Sequence, residues 1–302
     1  MTPDTNFDVI IIGGSYSGLS AAMALGRSLR TVLIIDSGSP CNQPTPRSHN
    51  FITHDGETPA NIAQKAREQV LKYDTIQLHN GLAISGTKSD RGFEVTTQSG
   101  MTFYSKKLLF ATGIKDIMPN IQGFADCWGI TAIHCPYCHG YEFRKKRTGI
   151  MVNGERAMHL ASLVNNLSND ITIFTQSHAN FDQEQLTRLK KHNISIVENQ
   201  IAALEHENGR LKNVILDNGS KMNFEAIYAA LPFVQHSDIP VQLGCELTEQ
   251  GYIRTDGFQK TTVKGIFACG DNSVMMRSVS NAVATGSLAG AMINKELTEE
   301  QF

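Results

Sequence analysis

Val9-Ile10-Ile11-Ile12 runs directly into Gly13-Gly14-Ser15-Tyr16-Ser17-Gly18, and no other stretch restricts the fold of this chain as tightly. Four consecutive apolar, β-branched residues predict a short strand buried on both faces, the habit of a parallel sheet. Glycines at its end permit a sharp turn, and the Ala- and Leu-rich stretch Leu19 to Leu29 predicts the helix that follows. Val32-Leu33-Ile34-Ile35 then supplies a second strand that ends at Asp36. Such a βαβ unit aims backbone N–H groups at an anion, and its acidic residue, about 20 positions on, suits ribose hydroxyls.

The pattern recurs. Ile150-Met151-Val152 reads as a strand, Asn153-Gly154 as a turn, Ala157 to Leu167 as a helix and Ile171-Thr172-Ile173-Phe174 as the next strand. Short strands follow each unit. Phe93-Glu94-Val95, Met101-Thr102-Phe103 and Lys107 to Phe110 come after the first, and Leu211 to Leu216 and Ala226 to Leu231 after the second. Asn208-Gly209 and Asn218-Gly219 are hairpin signals. A last strand, Gly265 to Asp271, leads to a small-residue helix expected from Asn281 to Ile293. The chain thus reads as an internally duplicated α/β protein, and 302 residues suit about two domains.

A formal net charge of -2 gives no electrostatic reason to expect nucleic acid or an anionic membrane as partner. Met1 to Phe7 is polar, without the apolar region of a secretion signal, and no apolar run approaches the roughly 20 residues of a membrane span. A cytoplasmic protein is expected.

Six cysteines in this length are no disulfide scaffold, but two are spaced as Cys135-Pro136-Tyr137-Cys138. CxxC brings two thiols within disulfide reach, and a helix start lowers a thiol pKa enough to populate thiolate. The same string occurs in glutaredoxin-type sequences, though near the start of that fold. With His139 it also spells a haem-attachment motif, which belongs to exported proteins. Zinc would need a paired second knuckle that His134, His139 and Cys127 do not form, so no metal is expected. Redox chemistry is the reading favoured here, and Cys41, Cys127, Cys245 and Cys269 read as core or loop residues.

Taken in order, the first glycine turn, Ala111-Thr112-Gly113, the CxxC, the second βαβ and Gly270-Asp271 resemble the low-molecular-weight thioredoxin reductases and their flavoprotein relatives. The resemblance covers essentially the whole chain. It implies two Rossmann-like domains of three-layer ββα build, with an FAD domain in two halves, 1–117 and 245–302, around an inserted pyridine-nucleotide-type domain, 118–244. It implies non-covalent FAD on Gly13, Gly14, Ser15, Ser17 and Gly18, with Asp36, Ser37 and Asn42 near the ribose. His49 and Asn50, Ala111, Thr112 and Gly113, Gly270 and Asp271, and Arg277, Ser278 and Val279 complete the implied cofactor contacts. It further implies that Cys138 faces the flavin, that Cys135 exchanges with a thioredoxin-like protein or a small dithiol or disulfide, and that the protein is a homodimer.

Two departures from that family stand out. His139 occupies the place where its reductases usually carry Asp, and the resulting Cys-His-Gly pattern resembles the dithiol oxidases that close disulfides in small natural products. An imidazole of ordinary pKa, about 6.5, is expected to take a proton from a thiol there. In the second βαβ, Val152 stands at the first glycine position, Glu155 adds negative charge, and Thr175-Gln176-Ser177-His178 replaces a His-Arg-Arg cluster. The next strand ends Ala229-Ala230-Leu231-Pro232, without the expected glycine. NADPH is therefore not expected to be the efficient donor. Open alternatives are an oxygen-dependent dithiol oxidase, an ordinary NADPH reductase and a non-enzymatic redox sensor.

Overall fold

The strand Asn6–Ile12 pairs in parallel with Val32–Asp36 on one side, Val9 opposite Val32, and with Thr102–Phe110 on the other, Ile10 opposite Leu108. Its Val9, Ile10 and Ile11 are completely buried. Burial of each such side chain is worth about 1.5–3 kcal/mol, which is why the apolar run settles in mid-sheet. This is a computed structural model describing residues 5–302. By internal contacts the chain forms two units. One comprises the chain up to Gln43, Glu57–Lys115 and Phe233–Phe302; the other comprises Pro44–Gly56 and Asp116–Pro232. The second crossing thus falls after Pro232, before the 244 read from sequence, and Pro44–Gly56 groups with the middle of the chain.

The first unit is built on a seven-stranded sheet. Its parallel part runs Ile76–Asn80, Val32–Asp36, Asn6–Ile12, Thr102–Phe110 and Ile266–Ala268, and the antiparallel strands Gly92–Thr97 and Ala83–Ser89 extend it. Met101 to Phe103 and Lys107 to Phe110, expected as separate strands, belong to one continuous strand from Thr102. The helix Tyr16–Arg27 packs on the sheet against the C-terminal helix Val279–Gln301, which runs eight residues beyond the expected end at Ile293. The two helices touch at backbone level: a Cβ on Gly286 would lie 2.1 Å from Ser17 O, and one on Gly290 2.6 Å from Ala21 O. Lys107, only 3% exposed, ties the sheet to the far end of that helix through Glu296 at 2.6 Å and Glu300 at 2.7 Å.

The second unit has a five-stranded parallel sheet, ordered Ser195–Val197, Ile171–Phe174, Thr148–Met151, Ala226–Ala229, Ala132–Ile133. The antiparallel strands Ile201–Glu207, Arg210–Leu216 and Lys221–Asn223 form a separate sheet, their hairpins turning at Asn208-Gly209 and Asn218-Gly219 as expected. The helix Glu155–Val164 links Thr148–Met151, the middle strand, to its neighbour Ile171–Phe174. Among the described residues no helix is long and apolar enough to cross a membrane, and no cluster of metal-ligating side chains occurs.

Candidate functional site

The two βαβ turns have the same origin in sequence and opposite occupancy in structure. In the first, Gly13 has φ +107°, and a Cβ there would sit 2.2 Å from Ala111 O. A Cβ on Gly18 would meet Gly13 O at 1.9 Å. Only glycine allows this approach of backbone to backbone. Ser15 starts the helix without a side-chain cap, and no acidic residue lies in the first turn. The helix N-terminus, with its partial positive charge, is therefore left to an external anion. Asp36, at the end of the second strand, accepts from Gly14 N at 3.2 Å and faces Arg67 at 3.4 Å. Ser37 follows it at the surface, and Asn42 donates to the Tyr16 hydroxyl at 3.2 Å.

The other segments of the first unit close round that turn. Ala111 N donates to Ile12 O at 2.8 Å, and Gly113, at φ +65°, has open space where a side chain would be. Gly270 lies against Ser17, where a Cβ would be 2.6 Å from the hydroxyl. Asp271 pairs with Arg277 at 3.7 Å, and the Ser278 hydroxyl caps the C-terminal helix at Asn281 N, with Val279 as the first helical residue. Asn272 was not singled out from sequence. Wholly buried, it donates to Phe110 O at 2.9 Å and to the Thr112 hydroxyl at 3.2 Å, so it fastens the Gly-Asp strand end to Ala111-Thr112-Gly113. Its adjacency to Gly270-Asp271 was the one sequence signal. A glycine cradle at an uncapped helix start, with a carboxylate at the next strand end, fits a dinucleotide such as FAD.

The second turn is filled by its own side chain. Asn153 Oδ1 accepts from Gly154 N at 2.8 Å and from Asn180 N at 2.9 Å. Its Nδ2 donates to His178 O at 2.9 Å and to the Ser177 hydroxyl at 3.4 Å. One carboxamide thus pairs with Gly154 N of the turn and ties the turn to the loop after Ile171–Phe174. Glu155 lies in the first helical turn, and His178 faces Glu198 at 3.0 Å. Arg156 is exposed. Asn153, which the sequence reading took only as part of a turn, makes these contacts, and Val152 before it is half-buried.

Cys135 caps the four-residue helix Pro136–His139, its Sγ accepting from Cys138 N at 3.1 Å, and the two cysteines are joined as a disulfide with Cα atoms 5.3 Å apart. Tyr137 and Tyr141 beside them are exposed. Of the other cysteines, Cys127, Cys245 and Cys269 are buried and Cys41 is exposed; burial pushes the Cys269 thiol up to about 12 and leaves it inert.

His139 departs from the ordinary imidazole expected of it. Burial, and then the charge of His49, hold it down to about 4, so it is neutral near pH 7. The His49 and His139 rings face edge to plane with centroids 6.5 Å apart. His49 also lies 3.6 Å from Glu142 and 3.7 Å from Asp55, while Asn50, at φ +58°, donates its N–H to Asp55 Oδ1. His49 and Asn50, expected beside the flavin, are thus in the unit that carries the redox pair.

A family profile described as pyridine nucleotide-disulphide oxidoreductase matches residues 7–286. Thioredoxin reductase sirT of Leptosphaeria maculans is 34% identical over 306 aligned residues, spanning 95% of this chain and 93% of its own. Thioredoxin reductase aclD of Aspergillus oryzae is 31% identical over 98% of each chain. Among solved structures, a putative thioredoxin reductase TrxB from Bacillus anthracis superposes with a TM-score of 0.93 at 29% identity, covering 98% of this chain and all of its own.

Proposed function

The chain belongs to the pyridine nucleotide-disulphide oxidoreductase family and is an FAD-dependent disulfide oxidoreductase of thioredoxin-reductase type, and from that premise we propose that it exchanges electrons between FAD and a substrate dithiol or disulfide through Cys135 and Cys138 without drawing efficiently on NADPH. The carrying observation is the Asn153 carboxamide bonded across the second turn. In this reading Gly13, Gly14, Ser15, Ser17 and Gly18 hold the pyrophosphate and Asp36 the ribose. Bound there, FAD supplies a two-electron acceptor and donor.

The work of the chain is thiol exchange. A substrate thiol gives its proton to the His139 imidazole, and the thiolate attacks one sulfur of the Cys135–Cys138 bond. The other cysteine leaves as thiolate and is protonated. The second substrate thiol, as thiolate, then attacks the substrate sulfur of the mixed disulfide and expels the enzyme cysteine as thiolate, so the substrate departs oxidised and both enzyme cysteines are reduced. The same imidazole hands that proton on to the leaving cysteine thiolate, and by microscopic reversibility it serves the exchange in either direction, so His139 does not by itself set the direction of electron flow. With oxygen as terminal acceptor the net reaction is R(SH)₂ + O₂ → RS₂ + H₂O₂. Thioredoxin-like proteins, suggested by the names of the relatives, and small dithiols are the two substrate classes, and a cytoplasmic homodimer completes the proposal. Dithiothreitol under air tests it. Peroxide should form without nicotinamide, and Cys135→Ser and Cys138→Ser should each lose at least 10²-fold; turnover that requires NADPH, or survives both substitutions, refutes the reading.

A further inference from the structure

Asp36 is gripped from two sides at the edge of the first glycine turn. A Cβ on Gly14 would lie 2.8 Å from Asp36 Cβ and 2.9 Å from its carboxyl carbon, so the acidic side chain lies flat against the turn. Gly14 N donates to Oδ1 at 3.2 Å, and the Arg67 guanidinium donates to Oδ2 at 3.4 Å. Arg67 comes from the helix Pro59–Val70, which Thr58 caps and whose Ile62 and Val70 are buried on its inner face. Tyr16, the first residue of the helix after the turn, donates its hydroxyl to Pro59 O at 3.1 Å and so fastens one helix to the other. Arg67 is thereby carried to the rim of the turn. Among the described residues its guanidinium meets no acceptor besides Asp36, and its Nε, out of solvent, is unpaired.

We infer that Arg67 is a positioning residue for the adenosine half of the cofactor: it fixes the rotation of the Asp36 carboxylate so that each oxygen keeps a lone pair for the ribose hydroxyls, and its charge offsets that of Asp36 beside the pyrophosphate. The inference rests on the reading of Asp36 as the ribose ligand. An ionised carboxylate offers about four lone-pair sites. Gly14 N takes one on Oδ1 and Arg67 one on Oδ2, which leaves one on each oxygen, the pair needed to accept from two adjacent hydroxyls. Without Arg67 the carboxylate is tethered at one oxygen only and turns freely about its broad terminal torsion. Its charge, lying against a turn that receives an anion, would then also repel that anion, whereas a cation 3.4 Å away counters the repulsion. The helix dipole alone also favours a cation in that last turn, but it would leave the ribose indifferent to Arg67.

The test is nucleotide binding to the full-length protein stripped of flavin, by calorimetry with ADP and 2′-deoxy-ADP and by fluorescence quenching with FAD. A hydrogen bond to a charged acceptor corresponds to about tenfold or more in affinity, so the wild type should prefer ADP to 2′-deoxy-ADP by about that factor. In Arg67→Gln the preference should all but vanish, and FAD should bind about tenfold more weakly. Arg67→Lys, which returns the charge without the planar fork, should recover part of the FAD affinity and less of the preference. A merely structural Arg67 would weaken both nucleotides alike and leave their ratio where it was, and that result overturns the proposal. A wild type indifferent to the 2′-hydroxyl refutes the placement of Asp36 on the ribose, and the proposal falls with it. Should Arg67→Gln fail to fold, Arg67→Met, which keeps the aliphatic stem, decides by the same ratio.

Discussion

Replacing Asn153 with glycine should open the second turn to a dinucleotide, and the size of the gain follows from what the carboxamide does. A pyrophosphate entering that turn would itself satisfy Gly154 N and Asn180 N, so the donors lose nothing. The carboxamide, once displaced, forfeits its donations to His178 O and the Ser177 hydroxyl. At about 1 kcal/mol net for each bond the displacement costs roughly 2 kcal/mol. The loop Thr175-Gln176-Ser177-His178 brings no Arg or Lys to a 2′-phosphate, which forgoes a further charge-assisted bond worth about 1.5–3 kcal/mol. Together roughly 4 kcal/mol, or about 10³ in affinity, separates this turn from a dinucleotide site that binds at micromolar concentration. The wild-type protein should therefore bind NADPH with a Kd near 1 mM, and Asn153→Gly should tighten it by about tenfold or more, with little preference for NADPH over NADH. Calorimetric titration of the oxidised flavoprotein measures both. A wild-type Kd below about 10 μM would refute the argument, and an unchanged Kd in Asn153→Gly would show that the carboxamide is not the obstruction.

Gly13→Ala should yield protein with little FAD, since a side chain at φ +107° and 2.2 Å from Ala111 O combines backbone strain with a clash; the flavin-to-protein absorbance ratio checks this, and full loading would contradict it. Lys107→Met should lower stability by about 2–3 kcal/mol by leaving the half-buried carboxylate of Glu296 without its nearest cation, and adding Glu296→Leu should recover part of the loss. Thermal unfolding of the single and double variants measures it, and equal melting temperatures in wild type and Lys107→Met would show that the pair contributes nothing.

Local pattern carried much of this protein. Val9 to Ile12 could only be an interior strand, because four adjacent apolar side chains need burial on both faces, and the glycines after it announce a turn that no other residue can make. The second βαβ, the hairpin glycines and the CxxC at a helix start were legible for the same reason: each depends on residues close in sequence. The tertiary structure decided what depends on distant ones. Asn153 reads as an ordinary turn residue until Ser177, His178 and Asn180 come within reach of its carboxamide. Asn272 gains its meaning from Phe110 and Thr112, some 160 residues away. His139 keeps the ordinary imidazole pKa in any reading of its neighbours in sequence, and loses it only when folding buries it and sets His49, ninety positions earlier, against its ring. Charge and solvation act through space, so the protonation state at the redox pair is a property of the fold.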